Sequence, residues 1–260
     1  GWRINVLFNL GDARAAFREI NGLLSNADSE PWIWPWCARQ IAAFGRTSVE
    51  SAQLALTFWD RCIATHPKLG RARAERLLTS FYLRSEGEDI GEYSEFRSMF
   101  GQHIALVDAE DAALPWDRLG HWAQDEGNWE EAELCYRKAY ELAGGHYGYC
   151  LGTALNFLGR FEESRPILLE QAEHLQPDAM SWFQLGVANG NTGRSSEAIA
   201  AYEKAIELDP EYDIAMFNLG GVHWNDGNII AAKQMWRRAI ERFPDHELVE
   251  EIRARLPSLF

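Results

Sequence analysis

The chain has 260 residues and a formal net charge of −14, with 47% hydrophobic and 25% charged residues. This is the composition of a folded protein, and the apolar runs are too short for a transmembrane helix. Nucleic-acid binding requires a basic stripe that displaces counterions, so the acidic balance argues against that class. The first residues lack the apolar stretch of a signal peptide, but the start at Gly1 instead of Met indicates a trimmed chain, so this absence says little about the parent protein. We expect a cytoplasmic protein without membrane insertion.

The N-terminal third carries weak signals of paired helices. Residues 1–25 predict most of one pair, and the spacing from Trp34 to Gly45 is that of a first helix. Residues 70–86 and 91–107 predict a further pair, joined by a short acidic linker. No Pro/Gly/Ser-rich linker interrupts the chain, which favours one continuous domain over two.

The stretch Pro31-Trp32-Ile33-Trp34-Pro35-Trp36 is unusual in composition. Proline at position 35 is compatible only with the first turn of a helix. One interpretation is a helix start whose three indoles pack on neighbouring helices. The other is an exposed aromatic patch that contacts a partner or another part of a longer parent protein.

Acidic residues concentrate in the middle of the chain. Between Asp108 and Glu141 there are ten Asp or Glu residues and three Lys or Arg residues, a net charge of −7. Such a block is typical of a solvated helix face. The sharper interpretation is a docking surface for a basic segment of a partner.

A repeat of 34 residues is the strongest pattern in the sequence. Leu185-Gly186 recurs as Leu219-Gly220 in one ungapped alignment. Further matches in the same alignment join Gly193, Ala198, Tyr202, Ala205 and Pro210 to Gly227, Ala232, Trp236, Ala239 and Pro244. Periodicity of this length is typical of stacked helical repeats.

These residues resemble the tetratricopeptide-repeat (TPR) pattern, W-x2-L-G-x2-Y followed by A-x3-F and P. The best copy begins Trp182-x2-Leu185-Gly186, another begins Trp116-x2-Leu119-Gly120, and a weaker one lies between them. The resemblance implies an all-α fold, a right-handed superhelix (α-solenoid) of antiparallel helix pairs. We expect a single solenoid over residues 1–260. It would comprise degenerate pairs in 1–112, four clearer units in 113–244 and a capping helix in 245–260.

The repeat positions carry packing expectations. A glycine in each first helix lets the paired helix approach, and a glycine after that helix suits a left-handed backbone. Asn128, Ser195 and Asn228 are expected to cap the second helices. The second helix of the weak copy is one residue longer and contains Pro166, which predicts local bending.

In the family that this sequence resembles, the first helices line a concave surface that binds partners. Side chains there that packing does not require are candidate contacts, and aromatic and amide groups suit a bound peptide or helix. Carried over by position, the candidates are Asp117, Arg118, His121, Tyr149, Asn156, Phe157, Phe183, Gln184, Asn191, Phe217, Asn218, Trp224 and Asn225. The alternative is that several of these aromatic residues belong to the core.

Catalytic and metal chemistry find little support in the sequence. No Gly-rich phosphate loop, nucleophile elbow or HExxH motif is present. His146 and Cys150 are four residues apart, but no carboxylate-rich ligand set accompanies them, so we expect no metal and no cofactor. The four cysteines form no CxxC pair and are typical of small core residues in a reducing compartment.

We therefore expect a non-enzymatic scaffold or adaptor that holds a peptide or helical segment of another protein. The alternative is a regulatory or substrate-recruiting TPR domain of a larger enzyme, such as a glycosyltransferase or sulfotransferase. Self-association is a third interpretation. The sequence does not choose the partner, because fold alone does not fix function.

Overall fold

The computed structural model describes residues 2–24 and 33–257, and every regular element in these ranges is helical. The predicted all-α class is confirmed. The chain forms two compact units, Gly1–Gly127 and Asn128–Phe260, and the single solenoid over 1–260 stays a prediction. The α-helices of the first unit are α1 (Trp2–Asn9), α2 (Ala13–Leu24), α3 (Ile33–Phe44), α4 (Val49–Thr65), α5 (Gly70–Ser85), α6 (Tyr93–Ile104) and α7 (Ala109–Asp125). Those of the second are α8 (Trp129–Ala143), α9 (Gly148–Phe157), α10 (Phe161–Glu170), α11 (Ala179–Asn191), α12 (Ser195–Leu208), α13 (Asp213–Asn225), α14 (Ile229–Arg242) and α15 (Leu248–Arg255).

Aromatic side chains build much of the core of the first unit. Phe8 stacks on Phe44 with ring centroids 5.2 Å apart and meets Phe17 edge-on at 5.7 Å. Nearer the end of the unit, the ring centroids of Phe96 and Trp122 lie 4.9 Å apart. Aromatic pairs bury a large apolar area. They stabilise helix pairs in a region where the repeat pattern itself is weak.

The tryptophan-rich stretch falls largely outside the described residues. Pro31 and Trp32 lie in the gap, and the side chains of residues 33–35 are also outside what the structure describes. Because α3 begins at Ile33, Pro35 falls within its first turn. The side chain of Trp36 is half-buried and packs against the core of the first unit.

One ionisable group of the first unit is held in its neutral form. Nδ1 of His103 on α6 lies 3.4 Å from Nη1 of Arg73 on α5, and a neutral ring nitrogen can accept that N–H. Burial, followed by the charges of Arg76 and Arg73, lowers the pKa of His103 from 6.5 to about 4, while Asp60 opposes the shift. Desolvation and neighbouring cations both disfavour an imidazolium.

Close helix packing in the second unit depends on the repeat glycines. A Cβ added at Gly186 would lie 2.7 Å from Cε1 of Tyr202, and one added at Gly220 would lie 2.4 Å from Cδ1 and Nε1 of Trp236. The aromatic residue of each second helix therefore occupies the space that a side chain on the first helix would need. The predicted role of the first-helix glycines is confirmed at both positions.

The turns within the repeats follow the predicted geometry, with one correction. Gly193 and Gly227 have φ of 75° and 79°, in the left-handed region that favours glycine. Asn228 accepts a hydrogen bond from the Ala231 N–H at 3.2 Å and so caps α14; Asn128 caps α8 in the same way. The prediction for Ser195 is wrong, because Ser195 is the first helical residue and Arg194 occupies the cap position without a side-chain hydrogen bond.

The weak middle copy absorbs its extra residue in a π-helical turn. Helix α10 ends at Glu170 and continues as π-helix over Gln171–Leu175. The Gln176 N–H donates to the Gln171 carbonyl at 2.7 Å, the five-residue spacing of a π-turn. A π-turn adds one residue without ending the helix. It begins five residues after Pro166, whose missing N–H already weakens the α-helical ladder.

The last helix covers the apolar end of the second unit. Val249 and Ile252 of α15 join a buried cluster with Phe217 and Trp236. Of the four cysteines, Cys37, Cys62 and Cys135 are buried and Cys150 is half-buried, and no disulfide joins any two of them. None of the described helices is long and apolar enough to cross a membrane.

Candidate functional site

The candidate contacts lie on the first helices of successive repeats. Asp117, Arg118 and His121 are on α7 of the first unit, and the remaining ten are on α9, α11 and α13 of the second. We call the accessible side chains on α9, α11 and α13 the candidate surface; it comprises Tyr149, Phe157, Phe183, Gln184, Asn191, Asn218, Trp224 and Asn225.

Three candidates are buried, which corrects the expectation that a partner could reach them. Asn156 is 6% exposed, and its Nδ2 donates to the main-chain carbonyl and to Oε1 of Gln184, both at 3.0 Å. Its Oδ1 accepts from the Ser164 hydroxyl. Asn156 thus joins three helices, because a buried amide must satisfy its donors and acceptor internally.

Phe217 is likewise a core residue. Its ring is 2% exposed and stacks on His246 with centroids 4.1 Å apart. Its carbonyl accepts the indole N–H of Trp236 at 3.0 Å. The covering residue, His246, follows the last repeat motif, so the motif alone gave no sign of this burial.

Asp117 is the third buried candidate, at 6% exposure. Its carboxylate lies 3.7 Å from Nε2 of His121, and burial raises its pKa while His121 and Arg118 act in the opposite direction. Arg118 remains exposed and His121 half-buried. These two side chains are the accessible candidates on α7.

A cavity in the first unit brings Arg118 together with residues that the sequence did not single out. It has a volume of about 330 Å³ and is lined by Arg46, Leu78, Phe81, Tyr82, Ser85, Leu114 and Arg118. Arg46 forms an ion pair with the buried carboxylate of Glu75 at 2.6 Å. The wall is therefore aromatic and basic, in a chain that is acidic as a whole.

The second unit has a cavity at the end of the candidate surface, which we call the Trp224 cavity. Its volume is about 260 Å³, and α13, α14 and α15 form its walls. The lining residues are Phe217, Asn218, Gly221, Trp224, Asn225, Trp236, Leu248, Glu251, Ile252, Arg255 and Leu256. Four of these residues were predicted candidates. The lining residues on α15 were not predicted, because the sequence indicated only a capping helix there.

Two groups of the Trp224 cavity are suited to contact. Trp224 is 37% exposed and lies against Trp236 with ring centroids 5.7 Å apart, so its indole is held while one side stays open. Asn225 is exposed, and Asn218 is half-buried and hydrogen-bonded to the Tyr202 hydroxyl. An aromatic anchor between amides offers both apolar contact and backbone hydrogen bonds.

The middle of the candidate surface is a cluster of aromatic rings. Phe183 lies 5.1 Å from Tyr212 and 5.7 Å from Tyr202, measured between ring centroids. Burial raises the pKa of Tyr202, Tyr149 and Tyr212, that of Tyr212 to about 12. These hydroxyls therefore remain protonated at neutral pH and act as neutral hydrogen-bonding groups.

The other end of the candidate surface exposes an aromatic stack. Phe157 is 63% exposed, and its ring lies parallel to that of Trp129 with centroids 3.9 Å apart. Trp129 begins α8, which is the second helix of its repeat. The candidates were taken from first helices, so Trp129 was not among them. Gln184 is half-buried by its contact with α9, and Asn191 is exposed with its Nδ2 donating to the Val187 carbonyl at 2.9 Å.

Comparisons with known proteins agree with this architecture. Family models described as TPR repeat and tetratricopeptide repeat match residues 191–227 and 116–145. The solved structure of YrrB, a TPR protein with an unusual peptide-binding site, is similar with a TM-score of 0.64 at 23% identity, covering 75% of this chain and 97% of that one.

Two curated proteins match over shorter stretches. BBSome complex member bbs-4 of Caenorhabditis elegans is 32% identical over 101 residues, 38% of this chain and 21% of that protein. The peroxisomal targeting signal receptor of Candida albicans is 36% identical over 72 residues, 27% of this chain and 12% of that protein. The matches thus span only a small part of either relative. Together with the helix pairs and their repeat glycines, the two repeat matches support an assignment to the tetratricopeptide-repeat family, and the likeness to YrrB shows the same fold.

Proposed function

We propose that the chain is a protein-interaction scaffold whose second unit binds a peptide or helical segment of a partner along the candidate surface. The observation that carries the proposal is the Trp224 cavity, whose lining combines a half-open indole with the side chains of Asn218 and Asn225. TPR repeats and TPR-protein neighbours support the scaffold role in general.

The chemistry of the cavity favours a segment that inserts an apolar side chain. Trp224, Leu248 and Ile252 form an apolar floor and wall, and Trp residues dominate the energetics of many interfaces. Asn218 and Asn225 each offer a donor and an acceptor to the backbone of the bound segment. Glu251 and Arg255 pair with each other across one turn at 2.8 Å, so they present a nearly neutral rim.

The similar proteins support a protein as the partner class. One is a member of a complex, one is a receptor for a targeting signal, and one is described with a peptide-binding site. A basic partner segment remains a prediction from the acidic block between Asp108 and Glu141. The larger-enzyme alternative and self-association also remain predictions. The gene sequence on either side of this segment tests the larger-enzyme alternative, and light scattering tests self-association.

Affinity capture with mass spectrometry tests the proposal when matched variants are compared. Trp224→Ala removes the anchor and is expected to weaken capture by roughly 30-fold, the effect of losing an interface hot spot of about 2 kcal/mol. Ile230→Ala is the control, because Ile230 is 73% exposed on α14 and does not line the cavity. Phe217→Ala is unsuitable, since it would empty the core.

Circular dichroism checks that both variants keep the fold. A folded Trp224→Ala protein that captures the same partner as strongly as wild type would refute the proposed site. Equal losses in both variants would point to an effect unrelated to the cavity.

A further inference from the structure

A second cavity of the second unit lies away from the candidate surface, between α10, α11 and α12. Its volume is about 330 Å³. It is lined by Arg165, Leu169, Glu173, Trp182, Leu185, Asn189, Glu197, Ala200 and Ala201, none of which belongs to the candidate surface. We call it the Asn189 cavity. On α11, its three lining residues occupy a helix face separate from that of Phe183 and Asn191.

The repeat pattern explains why this space is open. In the best copy, Trp182, Leu185 and Gly186 occupy their expected places, and the next pattern position, a tyrosine in W-x2-L-G-x2-Y, is Asn189. An asparagine is much smaller than a tyrosine, and the facing Ala201 is small as well. The volume of a phenol ring is thus left unfilled by the chain itself.

Buried polar atoms on the lining lack partners within the described residues. Asn189 is 3% exposed, and its Oδ1 accepts no hydrogen bond. Nε of Arg165 is also buried and unpaired, although its Nη2 donates to Glu197 at 3.3 Å. A buried acceptor without a donor costs free energy, so a ligand that supplies the missing hydrogen bond gains affinity.

We propose that the Asn189 cavity binds the phenol side chain of a tyrosine carried by a partner segment. The ring lies among Trp182, Leu169 and Leu185, and its hydroxyl donates to Oδ1 of Asn189. The volume is sufficient, because a cavity of about 150 Å³ already holds benzene and small-molecule sites begin near 300 Å³. The hydroxyl can also accept from the Arg165 Nε–H, which a purely apolar ring cannot do.

The chemistry favours a phenol over water or an aliphatic side chain. Five of the nine lining residues are tryptophan, leucine or alanine, and of the four polar ones Arg165 and Glu197 bond to each other, so water alone would leave the apolar part of the cavity unfilled. An aliphatic group would leave the Asn189 acceptor unsatisfied. A phenol meets both requirements with one group, an apolar body and a single polar end.

Ligand-observed NMR titration of the full chain with p-cresol, the tyrosine side-chain analogue, tests the proposal. We expect saturable binding, and about tenfold weaker binding of toluene, because toluene lacks the hydroxyl hydrogen bond. Asn189→Tyr fills the cavity with the chain's own phenol and should abolish p-cresol binding. Met180→Tyr, which places a tyrosine at an exposed position of α11 outside both the cavity and the candidate surface, should leave it unchanged.

Asn189→Leu provides a second test if the Asn189→Tyr protein does not fold. This variant keeps a side chain of similar size without the acceptor, so the preference for p-cresol over toluene should narrow to what the Arg165 Nε–H alone supports. Absence of p-cresol binding, equal affinity for toluene, or full binding to Asn189→Tyr would each overturn the proposal. A titration with N-acetyltyrosinamide tests whether backbone on both sides of the ring is accommodated, and its failure would overturn the assignment to a partner segment.

The inference stands apart from the proposed function. Trp224→Ala should leave p-cresol binding unchanged, because the two cavities share no residue. Asn189→Tyr should in turn leave capture at the Trp224 cavity intact if that partner inserts no tyrosine here.

Discussion

Adjacent glycines on α13 offer a sharp test of how the repeats pack. Gly220→Ala adds a Cβ 2.4 Å from Cδ1 and Nε1 of the Trp236 indole, whereas Gly221→Ala adds one with no heavy atom within 4 Å. The two substitutions are chemically identical and neighbouring in sequence. Only the first obstructs the paired helix α14.

The two substitutions are expected to change the free energy of unfolding in opposite directions. Overpacking by one methyl group costs about 1–3 kcal/mol, and the indole can also lose its 3.0 Å hydrogen bond to the Phe217 carbonyl, which costs about 1–3 kcal/mol. Replacing glycine by alanine inside a helix returns about 1 kcal/mol. With both costs counted, we therefore expect Gly220→Ala to lose about 1–5 kcal/mol and Gly221→Ala to gain up to about 1 kcal/mol.

Urea unfolding followed by circular dichroism measures the difference, and amide hydrogen exchange locates it. Gly220→Ala should lower the unfolding midpoint and speed exchange in α13 and α14. Gly221→Ala should raise the midpoint slightly without a local effect. If the two variants are equally stable, the close approach of Trp236 to Gly220 does not hold the repeat together and the reasoning fails.

Three further predictions concern caps, pH and helix length. Asn228→Ala should destabilise the chain by about 1 kcal/mol, because the Asn228 side chain caps α14. Ser195→Ala should have almost no effect, because the Ser195 side chain caps no helix. Equal losses in thermal melts would contradict this. Since the pKa of His103 falls from 6.5 to about 4 on folding, its stabilisation is complete above pH 6.5 and is lost as the pH falls towards 4. His103→Gln should flatten that part of the stability–pH profile measured by urea unfolding, and an unchanged profile would refute the assignment. Deleting Glu170 should be tolerated, because the π-turn can revert to α-helix. Deleting Glu203 from the regular helix α12 should unfold the last repeats. Equal losses of circular dichroism signal would contradict the account of the π-turn.

The packing of the repeats could be predicted because it depends on small residues at fixed spacing. Glycine at 186 and 220 and aromatic residues at 202 and 236 specify their contact without knowledge of anything else in the chain. The longer spacing from Leu168 to Ala172 likewise indicated an extra residue, although the sequence did not say that a π-turn would absorb it.

Burial on the first helices could not be predicted in the same way. Phe217 is covered by His246, and Asn156 is held by Ser164 and Gln184, so each depends on residues outside its own motif. The Asn189 cavity requires three helices to be placed together. A pattern along one helix identifies which residues share a face, but the neighbouring elements decide whether that face is open.

Trp224 and Asn225 close α13 and are exposed, and whether they contact a partner stays a prediction. The wall from α15 was missed, since an amphipathic helix after Pro244 predicts a cap and says nothing about a cavity beneath it.

Photo-crosslinking from position 225 tests the central claim most directly. A benzoylphenylalanine that replaces Asn225 at the mouth of the Trp224 cavity should cross-link one contiguous segment of a partner protein, mapped by mass spectrometry. The same probe at position 230, exposed on α14 outside the cavity, should give little or none of that product. Equal cross-linking from both positions, or none from position 225 while the partner is still captured, would contradict binding at this site.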